Sequence, residues 1–334
     1  MKKILIILLT AIICGSLFIG CAQKEASSAA ETTAAAETTA AGGSGKQLTI
    51  GVSVNALANY TNQTQFELAE KYIKEAGHKA VMVNANGKAP QQVTDIENLI
   101  QQGVDIIILQ NADTATIQNV VKEAVDKGIF VISQMSGWVP GMSTMFAQND
   151  FKIGTDLYGL MAAEMNFEGE IITTGHNDHP AIRQRRSEQA NFLKEYPNIK
   201  QVVDVYTEYP NTVEVTYKGV ESGLEAHPNV KAIWCTQDLE AMGAAQAVKA
   251  AGLEKQIIIC GSDGELDVLK TIKEGGPIIV TITSDYVSNA KQIVDVCEKI
   301  ANGEKVSMFY PIPYIVVTKE NVDPYLKAAE ERNK

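Results

Sequence analysis

The sequence is poor in residues that build metal and redox centres. Five cysteines occur in 334 positions and no two stand in a C-x-x-C spacing, so the short-spaced thiol pairs of redox motifs and zinc sites are missing. Histidines number four. His78 precedes a strand-like run, His227 lies in a helix–strand loop, and only His176 and His179 are neighbours. Zinc asks for three or four ligands, so no metal and no cofactor are expected. No Ser/His/Asp arrangement, phosphate loop or paired-carboxylate motif is present, which argues against an enzyme. Basic residues are scattered, with no basic stripe, and the formal charge is −11; nucleic acid is not an expected partner.

One long apolar run exists, at the start: "MKKILIILLTAIICGSLFIGCAQK". Lys2 and Lys3 precede an almost wholly apolar stretch, 4–19. It is short against the roughly 20 residues of a spanning helix and reads as a secretory signal over 1–20. Its end, Phe18-Ile19-Gly20-Cys21, resembles a bacterial lipobox, with Phe18 in the place of the usual Leu. The resemblance implies that Cys21 is lipidated and anchors the mature chain to a membrane. Ordinary signal cleavage without a lipid is the alternative. Residues 22–45, "AQKEASSAAETTAAAETTAAGGSG", hold no large apolar side chain and cannot build a core. The segment 21–46 is read as a disordered tether with a reach of roughly 25–30 Å.

The body, 46–334, exceeds one ordinary core, and two lobes are expected. "LTIGVSV" is continuous and β-branched, as a strand covered on both faces requires. The helix after it places Phe66, Ala69, Tyr72, Ile73 and Ala76 on one face, with Gly77 as a stop. The cycle repeats with stops at Gly103 and Gly128, and a second series of strands begins after Asp150. This alternation predicts an α/β fold of two doubly wound parallel-sheet lobes with a cleft between them. Cys14 leaves with the signal. Cys235, Cys260 and Cys297 read as small buried apolar residues, with a Cys235–Cys260 bridge left open.

Ligands of such sheets bind beyond the carboxyl ends of the strands. The residues there are polar or aromatic: Asn55, Asn59 and Tyr60 after the first strand, then Gln110, then Ser136 and Trp138, Asn211, Gln237, Asp263, and Ser284. Amides and carboxylates pair with hydroxyls, which both donate and accept, and Trp138 or Tyr60 suits the apolar face of a sugar ring. "TGHNDHPAIRQRR" (174–186) also follows a strand, with Pro180 suited to a first helical turn and Asp178 or His179 to its cap. His176 is open between a ligand contact and a solvated or capping role.

Several stretches together resemble the ribose-type periplasmic sugar-binding proteins: "LTIGVSVNALANY", "LIQQGVDIIILQNADT", "AIRQRR", "AHPNVKAIWCTQDLEAMGAAQAVKAAG", "IIICGSDG", "NGEKV" and "YPIPYIVV". The likeness spans about 48–317. It implies a type I periplasmic binding protein with a three-segment hinge crossing near 149–150, 284–285 and 312–313. One lobe would be 47–149 plus 285–312, the other 150–284 plus 313–334. It implies that Arg183 and Asp263 grip ligand, with Gln110 and Gln237 where the family carries Asn. The Asp-Arg pair usual after the fourth strand is replaced by Met135 and Ser136, which puts ribose itself in doubt. The expected function is that of a monomeric, lipid-anchored, extracytoplasmic substrate-binding protein of an ABC importer. It would capture a neutral sugar or polyol and pass it to a permease with its ATPase. A ligand-presenting sensor of the same fold is the alternative.

Overall fold

The computed structural model describes residues 46–177 and 180–332. The signal, the tether up to residue 45 with Cys21, and Asp178 and His179 lie outside the described residues. Strands and helices alternate: β1 (Thr49–Val54), α1 (Tyr60–Glu75), β2 (Lys79–Asn84), α2 (Ala89–Gln101), β3 (Ile106–Gln110), α3 (Thr114–Asp126), β4 (Phe130–Gln134) and β5 (Thr144–Ala147). The second series is α4 (Asp150–Glu164), β6 (Gly169–Gly175), α5 (Pro180–Glu195), β7 (Ile199–Tyr206), α6 (Thr212–Ala226), β8 (Val230–Cys235), α7 (Asp238–Ala250), β9 (Ile258–Cys260), α8 (Leu266–Glu274) and β10 (Ile278–Ser284). The chain closes with α9 (Tyr286–Ala301), β11 (Phe309–Pro311), β12 (Tyr314–Thr318) and α10 (Asp323–Arg332).

Two six-stranded sheets result, ordered β11-β5-β4-β3-β1-β2 and β12-β10-β9-β8-β6-β7. The first is parallel throughout. The second is parallel except for β12, which pairs antiparallel with β10, Tyr314 opposite Ser284. That exception follows from the path: the chain enters β12 at the cleft end of β10 and can only run back down it. Three passages join the sheets: Ala147 to Asp150, Ser284 to Tyr286, and Pro311 to Tyr314.

The apolar runs are covered on both faces, as continuous β-branched strands require. In β3, Ile106 and Ile108 pack with Ala69, Ile73, Ile293 and Cys297 beneath α1 and α9. Ile107 and Leu109 face the other way, onto Ile96, Leu99, Ile117 and Val121 of α2 and α3. The pleat also decides the cysteines. Cys235 belongs to the core under α6 and α7. Cys260, in register with Trp234, belongs to the core on the opposite face. Side chains on opposite faces of a sheet cannot bridge, and both are free thiols, as is Cys297. Gly77, Gly103 and Gly128 end α1, α2 and α3 with φ of 83, 67 and 79°, the left-handed stop expected of them. Among the described residues no helix is long and apolar enough to cross a membrane.

Candidate ligand cleft

The strand order of each sheet reverses beside its first strand, between β1 and β3 and between β6 and β8. Loops diverge there and leave a crevice. The carboxyl ends of the two sheets meet across it, in a closed arrangement. Asn59 is the N-cap of α1, its Oδ1 accepting from the Asn62 amide at 2.9 Å. Its Nδ2 donates across the cleft to Tyr209 Oη at 3.5 Å. Tyr209 Oη donates to Gln237 Oε1 at 2.7 Å. Thr61 Oγ1 lies 3.2 Å from Asp263 Oδ1 and 2.9 Å from Tyr286 Oη, and Tyr286 donates to the Asp263 carbonyl at 3.0 Å.

Asp263 sits at the centre of this cluster and is 5% exposed. Its φ of 150° is one an L residue adopts only under strain. Its second carboxylate oxygen, Oδ2, is buried without a hydrogen bond among the described residues. Burial pushes the carboxyl well above the usual range, with the Arg185 guanidinium opposing it. Asn111 (φ 53°) and Met135 (φ 60°), after β3 and β4, are strained too. Strain of this kind collects where a site has to hold a set geometry.

Beneath the loops, two carboxylates organise the floor. Asp238 accepts from the Gly264 and Glu265 amides, both at 2.9 Å, and from Thr281 Oγ1 at 2.8 Å. It therefore pins the loop that carries Asp263. A Cβ on Gly261 would fall 2.3 Å from Asp238 Oδ1, so the approach needs a glycine. Glu240 accepts from the hydroxyls of Thr174, Thr207 and Thr236, each at 2.8 Å, tying together the ends of β6, β7 and β8.

The expected residues divide. Asn59, Gln237 and Asp263 are brought together. Gln110 is buried at the end of β3, donating to Gln134 at 2.7 Å, with its own Oε1 unpaired among the described residues. Asn55 donates weakly to Gln92, at 3.4 Å. Tyr60 turns its ring against Tyr286 and under Arg332, and its backbone N–H donates to Glu265 at 2.5 Å. Ser284 bonds Gln148 at the hinge. Ser136 is withdrawn: it accepts from the Ala112 amide and donates to the Leu109 carbonyl, both at 2.8 Å, bracing loops rather than facing the cleft. Asn211 is exposed before α6 with no capping bond; Tyr209, two residues earlier, reaches the cluster instead.

Arg183 lies outside the cluster. It lies at the mouth, over a third exposed, bound to the Asn177 carbonyl at 2.8 Å and to Asp113 of the other lobe at 3.1 Å. Helical spacing is the reason. The inward face of α5 carries Pro180, Ala181, Ile182 and Arg185, which leaves Arg183 on the rim. The inward guanidinium is that of Arg185, paired with Asp150 at 2.8 Å and donating to the Thr236 carbonyl. Buried His176 stacks edge-on against Tyr209 at 5.1 Å. Thr61, Tyr286, Arg185 and Glu240 were missed. Of these, Glu240 had a legible signal, an acid three residues into a helix after Gln237. Among the described residues no cluster of His, Cys, Asp or Glu is placed to hold a metal ion.

At the hinge, side chains of both lobes line a cavity of about 760 Å³, Trp138 and Phe151 among them.

Two hinged α/β lobes with a polar cleft at their facing strand ends define a solute-binding receptor. Residues 50–305 match the family described as Periplasmic binding protein domain, and the chain belongs to that family. It is 27% identical over 280 residues to the ribose import binding protein of Bacillus subtilis, covering 83% of this chain and 90% of that one. It is 25% identical over 265 residues to the D-xylose-binding periplasmic protein of Escherichia coli, covering 78% and 80%. Among solved structures it resembles an ABC transporter solute-binding protein from Bacillus halodurans with bound myo-inositol. There the TM-score is 0.77 and the identity 26%, over 86% of this chain and 99% of that one. The fold is shared with an allitol-bound solute-binding protein from Agrobacterium vitis, TM-score 0.79, 22% identical, over 85% and 99%. These relatives are binding proteins by name, not enzymes.

Proposed function

We propose that this chain is the extracytoplasmic, substrate-binding lipoprotein of an ABC importer, which takes a small neutral sugar or polyol into the inter-lobe cleft by hinge closure. The observation that carries the reading is Asp263. Its carboxyl is strained, buried and half unpaired, and it stands where Asn59 and Thr61 of one lobe meet Tyr209 and Gln237 of the other. A hydroxyl donates to such a carboxylate while accepting from an amide. Because groups from both lobes converge, a bound solute bridges them and favours the closed state through its differential affinity. The named ligands of the relatives, ribose, xylose, myo-inositol and allitol, are all neutral and hydroxyl-rich, which supports this ligand class. Cys21 is the proposed lipid site and residues 21–46 the leash.

A thermal-shift screen against neutral sugars and polyols tests the proposal. Binding at a hundredfold excess over Kd adds about 2.7 kcal/mol of stability. At least one library member is expected to raise Tm, and a library that leaves Tm unmoved would refute the reading. Loss of growth on that solute when the receptor is deleted distinguishes import from sensing.

A further inference from the structure

The cavity at the hinge differs in character from the polar cluster. Its walls include Met135, Trp138 and Phe309 from one lobe and Phe151, Pro180 and Tyr314 from the other. Trp138, Phe151 and Phe309 are 40, 48 and 45% exposed, so three aromatic faces from two lobes stand open around one space. Its ionic members are already paired: Asp150 with Arg185 at 2.8 Å, and Lys152 with Asp156 at 2.7 Å. The cavity therefore offers apolar surface and no unpaired formal charge to an occupant.

Bonded side chains link it to the cluster. Asp150 lines the cavity and holds Arg185, whose charge acts on Asp263. Gln148 lines it too and bonds Ser284. Where a charged pair would clamp a plain sugar, Met135 presents a thioether and Ser136 is turned into loop bonds. A space of about 760 Å³ lies in the range of pockets that take drug-sized ligands, about 300–1,000 Å³.

We propose that the ligand is a substituted sugar: a hydroxylated ring held by the polar cluster, carrying a neutral, flat apolar group that fills this cavity. Aromatic walls and a methionine suit such a group through stacking and sulfur–ring contacts. The proposal rests on reading the cleft as a sugar site.

The test is calorimetry on the full chain held in detergent, with matched probes. D-Ribose, D-xylose, D-glucose and D-galactose are each offered as the free sugar, the methyl glycoside, and derivatives carrying a phenylthio group at the anomeric or the terminal carbon. For the accepted sugar, one phenylthio derivative is expected to bind about tenfold tighter than the methyl glycoside. In Phe151→Ala and Phe309→Ala, both at half-exposed positions that tolerate truncation, that ratio should fall toward one. Binding of the methyl glycoside with every phenylthio derivative equal or weaker would overturn the substituent proposal and leave the sugar-site reading standing. Failure of every free and substituted sugar to bind would overturn both.

Discussion

At Asp263 the chain spends stability on geometry. A buried carboxyl with one oxygen unpaired and a backbone at φ 150° both oppose folding. Asp263→Ala removes the unpaired carboxyl but keeps the strained backbone, and is expected to leave the unliganded Tm close to that of the wild type. The same change should weaken ligand binding by about a hundredfold, since it leaves a buried ligand hydroxyl without its partner, at a cost of about 1–3 kcal/mol. Calorimetry and a melting curve on one sample check both; near-wild-type affinity would remove Asp263 from the site. At this scale the sequence was only partly readable. That Asp263, Asn59 and Gln237 follow strands is local information, and all three converge. Which arginine of "AIRQRR" turns inward is set by the packing of α5, and Thr61 enters only when the lobes meet.

The elements under the site are fixed by close approach and by a buried acid. A Cβ on Gly243 of α7 would lie 2.4 Å from the Val213 carbonyl of α6. Gly243→Ala should cost about 1–3 kcal/mol, as overpacking does, and shift the urea midpoint downward. Burial raises the Asp238 carboxyl from 3.8 to about 7, against the hydrogen bonds from Glu265, Thr281 and Gly264. The native state then holds a proton that the unfolded chain releases near pH 4. This contribution is full below pH 4 and is lost as pH rises through about 7. Between pH 5 and 8, Tm of the wild type should fall more steeply with pH than Tm of Asp238→Asn; parallel curves would contradict the shift. Strands and helices were legible because burial on both faces selects unbroken β-branched runs and glycine marks helix ends. The antiparallel course of β12 was not, because it follows from where the chain re-enters the second lobe.

For the whole molecule, the proposed function is closure on a solute. The lobes touch through Tyr60 and Glu265, Thr61 and Asp263, and Arg183 and Asp113. Arg183 is over a third exposed, so Arg183→Ala should cost closure little, within about 1 kcal/mol, and lower affinity less than fivefold by calorimetry. Outside the folded body, Cys21→Ala is expected to abolish labelling by an alkynyl fatty acid and to release the protein from the membrane fraction. Retention of both would refute the anchor. The most direct test of closure is the distance between the lobes with and without solute. Gly87 of the first lobe lies where a Cβ would be 3.7 Å from Tyr209 of the second, so spin labels at Lys88→Cys and Glu208→Cys straddle the cleft mouth. Pulsed electron resonance should give a short, narrow distance in the presence of the sugar found by screening and a longer, broader one without it. One distance, the same with and without that sugar, would contradict a receptor that works by closing on its ligand.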